Sequence, residues 1–359
     1  MNAATAWGMQ VKNIGTIKGL LKKGALLTIV SLQLVGCQTF KDKVVYAPAG
    51  DVMQLLAKEH TVPYMLGTED LAMSCAMSEA LSPLLMAFGR VTSTPEQLGV
   101  MMGLSAGACE DQRALEHELR YLRALSQLRP DEAEDALISQ KRHLVDAAKR
   151  QYGAYKHLVS YYGEPGGEEC PDLDDEFDQF IWMVGMLSGL QALNSEIQST
   201  SGIGVPKDIA SKVERGTSCL DDEQWWGAPM AMKAAIWSML PGAEPQGENA
   251  WERLAAAQTK GEDARVRLPN VLYAMAAFTN GKNDLVKDII RRHADQVKKH
   301  PANPEYALID KTATIQLMAL SDRLWTENTG HRTPMGGFGT FWDDKKESNV
   351  EVLDLDDLL

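Results

Sequence analysis

The chain has 359 residues, 45% hydrophobic and 24% charged, with 36 Lys and Arg against 49 Asp and Glu for a formal charge of −13. Such a length and apolar share can build a sizeable core, while the acidic balance excludes the usual nucleic-acid binder, which neutralises phosphates with clustered Lys and Arg. Alternating strand patterns are nearly absent and 3.6-residue periodicities recur, so the expected class is all-α.

The N-terminal segment has its own composition. Lys12, Lys18, Lys22 and Lys23 precede an apolar run from Gly24 to Gln33, and no acidic residue occurs before Asp42. A basic region, an apolar stretch and a site of small residues make a secretory signal, with Met1 or Met9 as its start. An apolar run of about a dozen residues is short of the roughly twenty that a bilayer core requires. The run closes on Leu34-Val35-Gly36-Cys37, and with that cysteine residues 1–36 resemble a bacterial lipoprotein signal. The resemblance implies that Cys37 is diacylated and becomes the new N-terminus. Gln38, where an aspartate would direct retention in the inner membrane, implies the periplasmic face of the outer membrane. Loss of residues 1–36 removes four lysines and no acid, taking the formal charge from −13 to −17. Membrane contact is thus expected through the lipid anchor, and no nucleic-acid partner is expected.

Residues 37–50 are expected to form a lipid-anchored tether and residues 51–330 a single helical domain. Helices are predicted at about 51–60, 69–90, 95–108 and 110–127. Pro130-Asp131-Glu132 then opens a helix of about thirty residues with proline and two acids at its positive end. Phe177 to Leu190 is apolar on nearly every side and belongs at the centre of a bundle. Further helices are predicted at 206–217, 221–239, 249–260, 265–280, 283–300 and 305–327. Gly99, Gly103 and Gly107, and again Gly185 and Gly189, recur at four-residue spacing and mark faces for close helix approach. Residues 331–359 read as a flexible acidic tail.

The remaining cysteines, Cys75, Cys109, Cys170 and Cys219, are an even set. In an oxidising compartment that suggests two disulfides, with Cys75–Cys109 and Cys170–Cys219 favoured among three possible pairings because each pair lies in neighbouring segments. None of the spacings is C-x-x-C, so neither a zinc knuckle nor a redox-active pair is indicated.

Residues 268–301 form the best helix-turn-helix unit, with small residues on the first helix, a turn at Asn280-Gly281-Lys282-Asn283 and a stop at Pro301. The unit resembles a tetratricopeptide-type repeat, implying antiparallel helix pairs in an α-solenoid or irregular bundle. Over residues 37–130, the lipobox cysteine, Cys75-Ala76-Met77-Ser78-Glu79-Ala80-Leu81-Ser82-Pro83-Leu84-Leu85, Pro95-Glu96-Gln97-Leu98 and Arg120-Tyr121-Leu122-Arg123-Ala124-Leu125 resemble the T-component lipoproteins of tripartite ATP-independent periplasmic (TRAP) transporters. That resemblance implies stacked helix pairs that meet a periplasmic solute-binding protein.

Catalytic signals are thin. Gly103-Leu104-Ser105-Ala106-Gly107 matches the G-x-S-x-G elbow of serine hydrolases, which needs a strand before the serine and a base such as His143, His157 or His293. The preceding residues read as a helix, so the expectation is a non-enzymatic protein whose helical body binds a protein partner or small ligand, with hydrolysis at Ser105 or a purely structural envelope lipoprotein as the alternatives. His117-Glu118 has Tyr121 where a second zinc-binding histidine would stand. The acids from Glu168 to Asp178 lack the central glycine and terminal glutamate of an EF-hand, so neither metal nor cofactor is expected. Trp225 and Trp226 are the candidates for a ligand or partner surface, because tryptophan is enriched in binding hot spots; the other reading is that the pair packs between two neighbouring helices.

Overall fold

The computed structural model describes residues 42–93 and 95–345, and all regular structure among them is helical. Cys37 and the signal segment lie outside the described residues. Helical backbone begins at Asp42, inside the stretch expected to be a tether, as a π-helical turn Asp42–Tyr46. It runs on through α1 (Ala47–Leu56), a second π turn Ala57–Thr61 and α2 (Val62–Leu66). Pro48 stands in the first turn of α1, where its missing amide hydrogen leaves one bond to the preceding π turn unmade.

Next come α3 (Leu71–Ala87), α4 (Glu96–Ser126), α5 (Pro130–Tyr162) and α6 (Glu176–Ser199). Asp70 and Asp175 cap α3 and α6, accepting from the amides of Met73 and Asp178 at 2.9 and 2.8 Å. Each satisfies an amide that the helix itself leaves unpaired. The expected break between 108 and 110 does not occur. α4 runs unbroken for 31 residues, because the glycines that cost about 1 kcal/mol each relative to alanine are where α5 closes onto it. A Cβ built on Gly103 would stand 2.9 Å from the Ala154 Cβ and 3.0 Å from the Arg150 carbonyl oxygen. α5 meets α6 in the same way, with Gly185 against Leu158 and Gly189 against Tyr155 and Ile209. Both glycine stripes are therefore packing seams. α6 is the central helix, with Phe180 through Met186 buried, and Trp182 donates from Nε1 to the Gly216 carbonyl at 3.0 Å.

α7 (Ile209–Gly216), α8 (Ala228–Met239), α9 (Ala250–Ala264), α10 (Leu268–Thr279), α11 (Asn283–Lys299) and α12 (Ala307–Thr329) complete the order. From α8 onward the packing is that of a solenoid. Each of α8, α10 and α12 packs on the next of the three, while α9 and α11 fill the intervals between them. The three begin at residues 228, 268 and 307, a period of 40 and then 39 residues. The unit expected at 268–301 is α10, a turn with Gly281 at φ +68°, and α11. Glycine adopts that left-handed conformation without the Cβ clash other residues meet. α12 then returns to pack on α2, α3 and α4, closing the array on its first half.

Residues 331–345 are not a flexible tail. Phe341 is buried among the α8–α12 core residues, and the Thr340 carbonyl accepts from Trp325 Nε1 at 3.0 Å. Lys287 pairs with Asp343 and Arg291 with Asp344, each at 2.6 Å. The aromatic residues Phe338, Phe341 and Trp342 supply apolar area that an acidic tail would lack, and this burial repays the ordering of the segment. Residues 346–359, which hold the acidic end, lie outside the described residues.

Among the described residues one helix, Leu71–Arg90, is long and apolar enough to cross a membrane, with mean hydropathy 1.4. Its Glu79 is held by two arginines of the helical body and its Cys75 is bonded to α4, so it is packed as a member of that body.

Candidate functional site: a charged square on a disulfide-stapled seam

Cys75 on α3 pairs with Cys109 on α4, and Cys170 in the loop before α6 pairs with Cys219 after α7. Their Cα atoms are 5.7 and 5.6 Å apart, within the range a disulfide spans. These are the two favoured pairings.

One helical turn beyond the first disulfide, α3, α4 and α5 meet at four charges of alternating sign. Glu79 receives a two-pronged contact from Arg113, at 2.7 and 3.0 Å. Arg113 also reaches Glu110 at 2.6 Å, Arg150 bonds Glu110 at 3.0 Å, and Arg150 closes the square on Glu79. Arg150 donates in addition to the Ala106 carbonyl at 2.8 Å. The Arg113 bond, with help from Arg150, pulls the Glu79 carboxyl down to about 2. Glu110 is buried and takes a further contact from His143 Nδ1 at 2.7 Å. Burying an ion costs several kcal/mol unless its partners replace the lost water, and this square supplies them. The formal charges sum to zero, which leaves no unpaired cation or anion there to attract a substrate.

Beside the square, the Asp111 carboxyl is enclosed between Gln151 Nε2 at 2.7 Å and Ser195 Oγ at 3.4 Å. Part of the residue reaches the surface, but the carboxyl itself is desolvated, and that burial pushes it up to about 7. His117 stacks on His143 with ring centroids 5.2 Å apart. Burial, followed by repulsion from the neighbouring imidazole, lowers its pKa.

The sequence motifs distribute differently from these groups. Ser105 sits in the middle of continuous α4, without the strand-to-helix turn that presents a nucleophile. No histidine hydrogen-bonds it among the described residues. His143 faces Glu110, His157 pairs with Glu96, and His293 is buried between Asn270 and Thr314 at 3.2 and 3.0 Å. Among the described residues no group of three His, Cys, Asp or Glu could hold a metal ion. The acids near residue 175 instead cap and tie α6: Asp175 bonds Lys58 at 3.2 Å, and Asp178 accepts from Tyr162 at 2.7 Å.

Trp225 and Trp226 require the largest correction. They do not lie on a helix at 221–239, because the Asp221 and Asp222 carboxylates bind the amides of Glu223, Gln224 and Met230 and hold a turn. Trp226 at φ +57° and Gly227 at φ +75° then reverse the chain, and α8 starts only at Ala228. Outside helical geometry, both rings enter the same core. They are 1% and 5% exposed, edge to face at 5.4 Å, with Tyr306 4.5 Å from Trp226 and Phe180 6.0 Å from Trp225. The Trp225 indole nitrogen is satisfied by Gln179 at 3.0 Å. These indoles are core, and neither lines an open groove.

The sequence reading missed the charged square, Asp111, and a second buried pair in which Arg267 meets Asp310 at 2.6 Å. Arg267 is fully buried and also donates to the carbonyls of Gln296 and His300, capping the end of α11. The only local signal was the Glu110 to Arg113 spacing of three, which looks the same on a solvated helix. Comparison of the chain with protein-family models, curated proteins and solved structures yields no match.

Proposed function

We propose that this chain is a lipid-anchored binding protein of the bacterial envelope, held by Cys37 at the periplasmic face of the outer membrane. Its closed helical array would serve as a docking body for a protein partner or small ligand. The observation that carries the reading is the cysteine arrangement. The four cysteines after Cys37 pair with one another, as expected of an exported protein, and Cys37 stands alone at the end of a lipobox-like stretch. The solenoid packing of α8 to α12 supports a binding role, because such arrays present extended curved surfaces. The charged square is neutralised and Ser105 lies within a helix, so neither supplies an activated group. By its resemblance over residues 37–130, we take the partner to be the solute-binding protein of a TRAP-type uptake system.

The test is expression of the full chain and of Cys37→Ala in a Gram-negative host with an alkyne-tagged fatty acid, followed by capture from detergent-solubilised envelope. The intact chain should carry the tag on a mature N-terminus at Cys37 and recover a solute-binding protein, and Cys37→Ala should carry no tag. An untagged intact chain would end the lipoprotein reading. A tagged chain that repeatedly recovers no specific protein would end the partner reading.

A further inference from the structure

The helical stretch that starts at Asp42 is apolar on two opposite sides. One side packs inward: Gly50 meets the Phe88 ring and the Thr92 methyl, where a Cβ would stand 2.9 Å from each, and Ala57 is buried. The other side carries Val45, Pro48, Ala49, Val52, Leu55 and Leu56 at helical intervals of three, four and seven, the spacing of a single apolar stripe. No residue of the described body covers it. Val45, Val52, Leu55 and Leu56 are 55, 64, 55 and 48% exposed, and Tyr46 and Tyr64 are exposed beside them.

We propose that this stripe lies on the lipid bilayer, so that the protein docks flat against the membrane instead of swinging on a loose leash. The proposal rests on the acylation of Cys37 put forward above. Five residue steps separate Cys37 from Asp42, and an extended chain covers at most about 18 Å in that span. An acylated Cys37 therefore confines the start of the stripe to the headgroup region. An amphipathic helix settles there with its apolar face roughly 5–10 Å into the headgroup and acyl boundary. Tyrosine is enriched at that depth, where its ring is apolar and its hydroxyl wet. The charges nearby are of both signs, Lys43 and Lys58 against Asp51 and Glu59, and the body as a whole is acidic. The surface that fits is accordingly a zwitterionic one, such as phosphatidylethanolamine. A second copy of the chain is the competing occupant, but it gains nothing from the stripe's position next to the anchor.

The experiment uses the mature, acylated full chain in vesicles of phosphatidylethanolamine and phosphatidylcholine. A spin label is placed at Val52→Cys on the stripe, or at Lys149→Cys on the exposed face of α5 as a control, where the side chain is 59% exposed. Collision with lipid-soluble oxygen should exceed collision with an aqueous nickel chelate at position 52 by at least fivefold over the ratio at 149. Equal ratios on a chain shown by mass spectrometry to be acylated would overturn the docking while leaving the anchor intact. If mass spectrometry finds no acyl chain, the anchor reading fails. The chain from Gln38 onward, which retains every described residue, then decides docking by flotation with the same vesicles. It should float, and Val52→Asp/Leu55→Asp/Leu56→Asp should reduce flotation at least tenfold with an unchanged helical circular dichroism spectrum; no flotation of the parent chain would overturn docking. Concentration-dependent dimerisation in solution that the triple variant abolishes would assign the stripe to a second copy and refute the lipid assignment.

Discussion

Two glycines on facing helices separate packing from propensity. Gly103 on α4 and Gly153 on α5 both lie inside long helices, where replacement by alanine gains about 1 kcal/mol from propensity alone. At Gly153 a Cβ would find nothing within 4 Å, so Gly153→Ala should realise that gain and stabilise the protein by up to about 1 kcal/mol. At Gly103 the new methyl would meet the Ala154 Cβ at 2.9 Å, the Arg150 carbonyl oxygen at 3.0 Å and the Ala154 nitrogen at 3.2 Å. Two of those atoms are backbone, so no side-chain rotation relieves the contact and α5 itself must shift. Overpacking of that kind costs about 1–3 kcal/mol, enough to cancel or exceed the propensity gain. Gly103→Ala should therefore destabilise by about 1 kcal/mol net, placing the two variants roughly 2 kcal/mol apart with opposite signs. Urea unfolding with the disulfides intact, followed by circular dichroism at 222 nm, measures both. A Gly103→Ala protein as stable as Gly153→Ala would refute the seam argument.

Three other predictions follow from buried groups. Asp111 binds its proton more tightly folded than unfolded, because burial lifts its carboxyl from 3.8 to about 7; its ionisation thus costs stability increasingly as pH rises from about 4 to 7. Asp111→Asn should gain over the parent across that window by up to about 4 kcal/mol, with the gain constant above pH 8, and a pH-independent difference in urea midpoint would contradict it. Arg267→Met leaves the Asp310 carboxylate buried without its cation and should cost about 3–5 kcal/mol; Arg267→Met/Asp310→Leu should recover much of that, and a double variant no better than the single would show that capping of α11, not charge, is what Arg267 supplies. Phe341→Ala should lower stability by about 3 kcal/mol and expose the 331–345 strap to limited proteolysis, whereas a mobile tail would be cut equally in the parent.

The all-helical class was legible in residue order because it rests on local physics. Proline and acids at Pro130-Asp131-Glu132, the turn at Asn280-Gly281 and the four-residue glycine spacings each act within a few residues, and helices, turn and seams lie where they point. The disulfide pairings were also legible from chain order, since Cys75 and Cys109 lie on the consecutive helices α3 and α4 and Cys170 and Cys219 flank α6 and α7. Boundaries failed where a distant partner outweighed a local preference. α4 continues through Gly107 because α5 packs against it, while Trp225 and Trp226 leave the helix because two aspartates bind backbone amides and the core accepts both rings. The strap 331–345 was misread for the same reason: the helical pattern stops after Gly330, its glycines and the acids that follow it suggest solvent, and only the α8–α12 surface shows where Phe341 can be buried. Least visible were the charged square and the Arg267–Asp310 pair, which apart from the Glu110–Arg113 contact join residues 34 to 71 positions apart. The sequence by itself determined the helices, their glycine faces and the cysteine set, because these depend on neighbours along the chain. Tertiary structure alone decided which charges are buried, which tryptophans are core and which apolar stripe is left uncovered, because burial is set by whatever folds back from elsewhere.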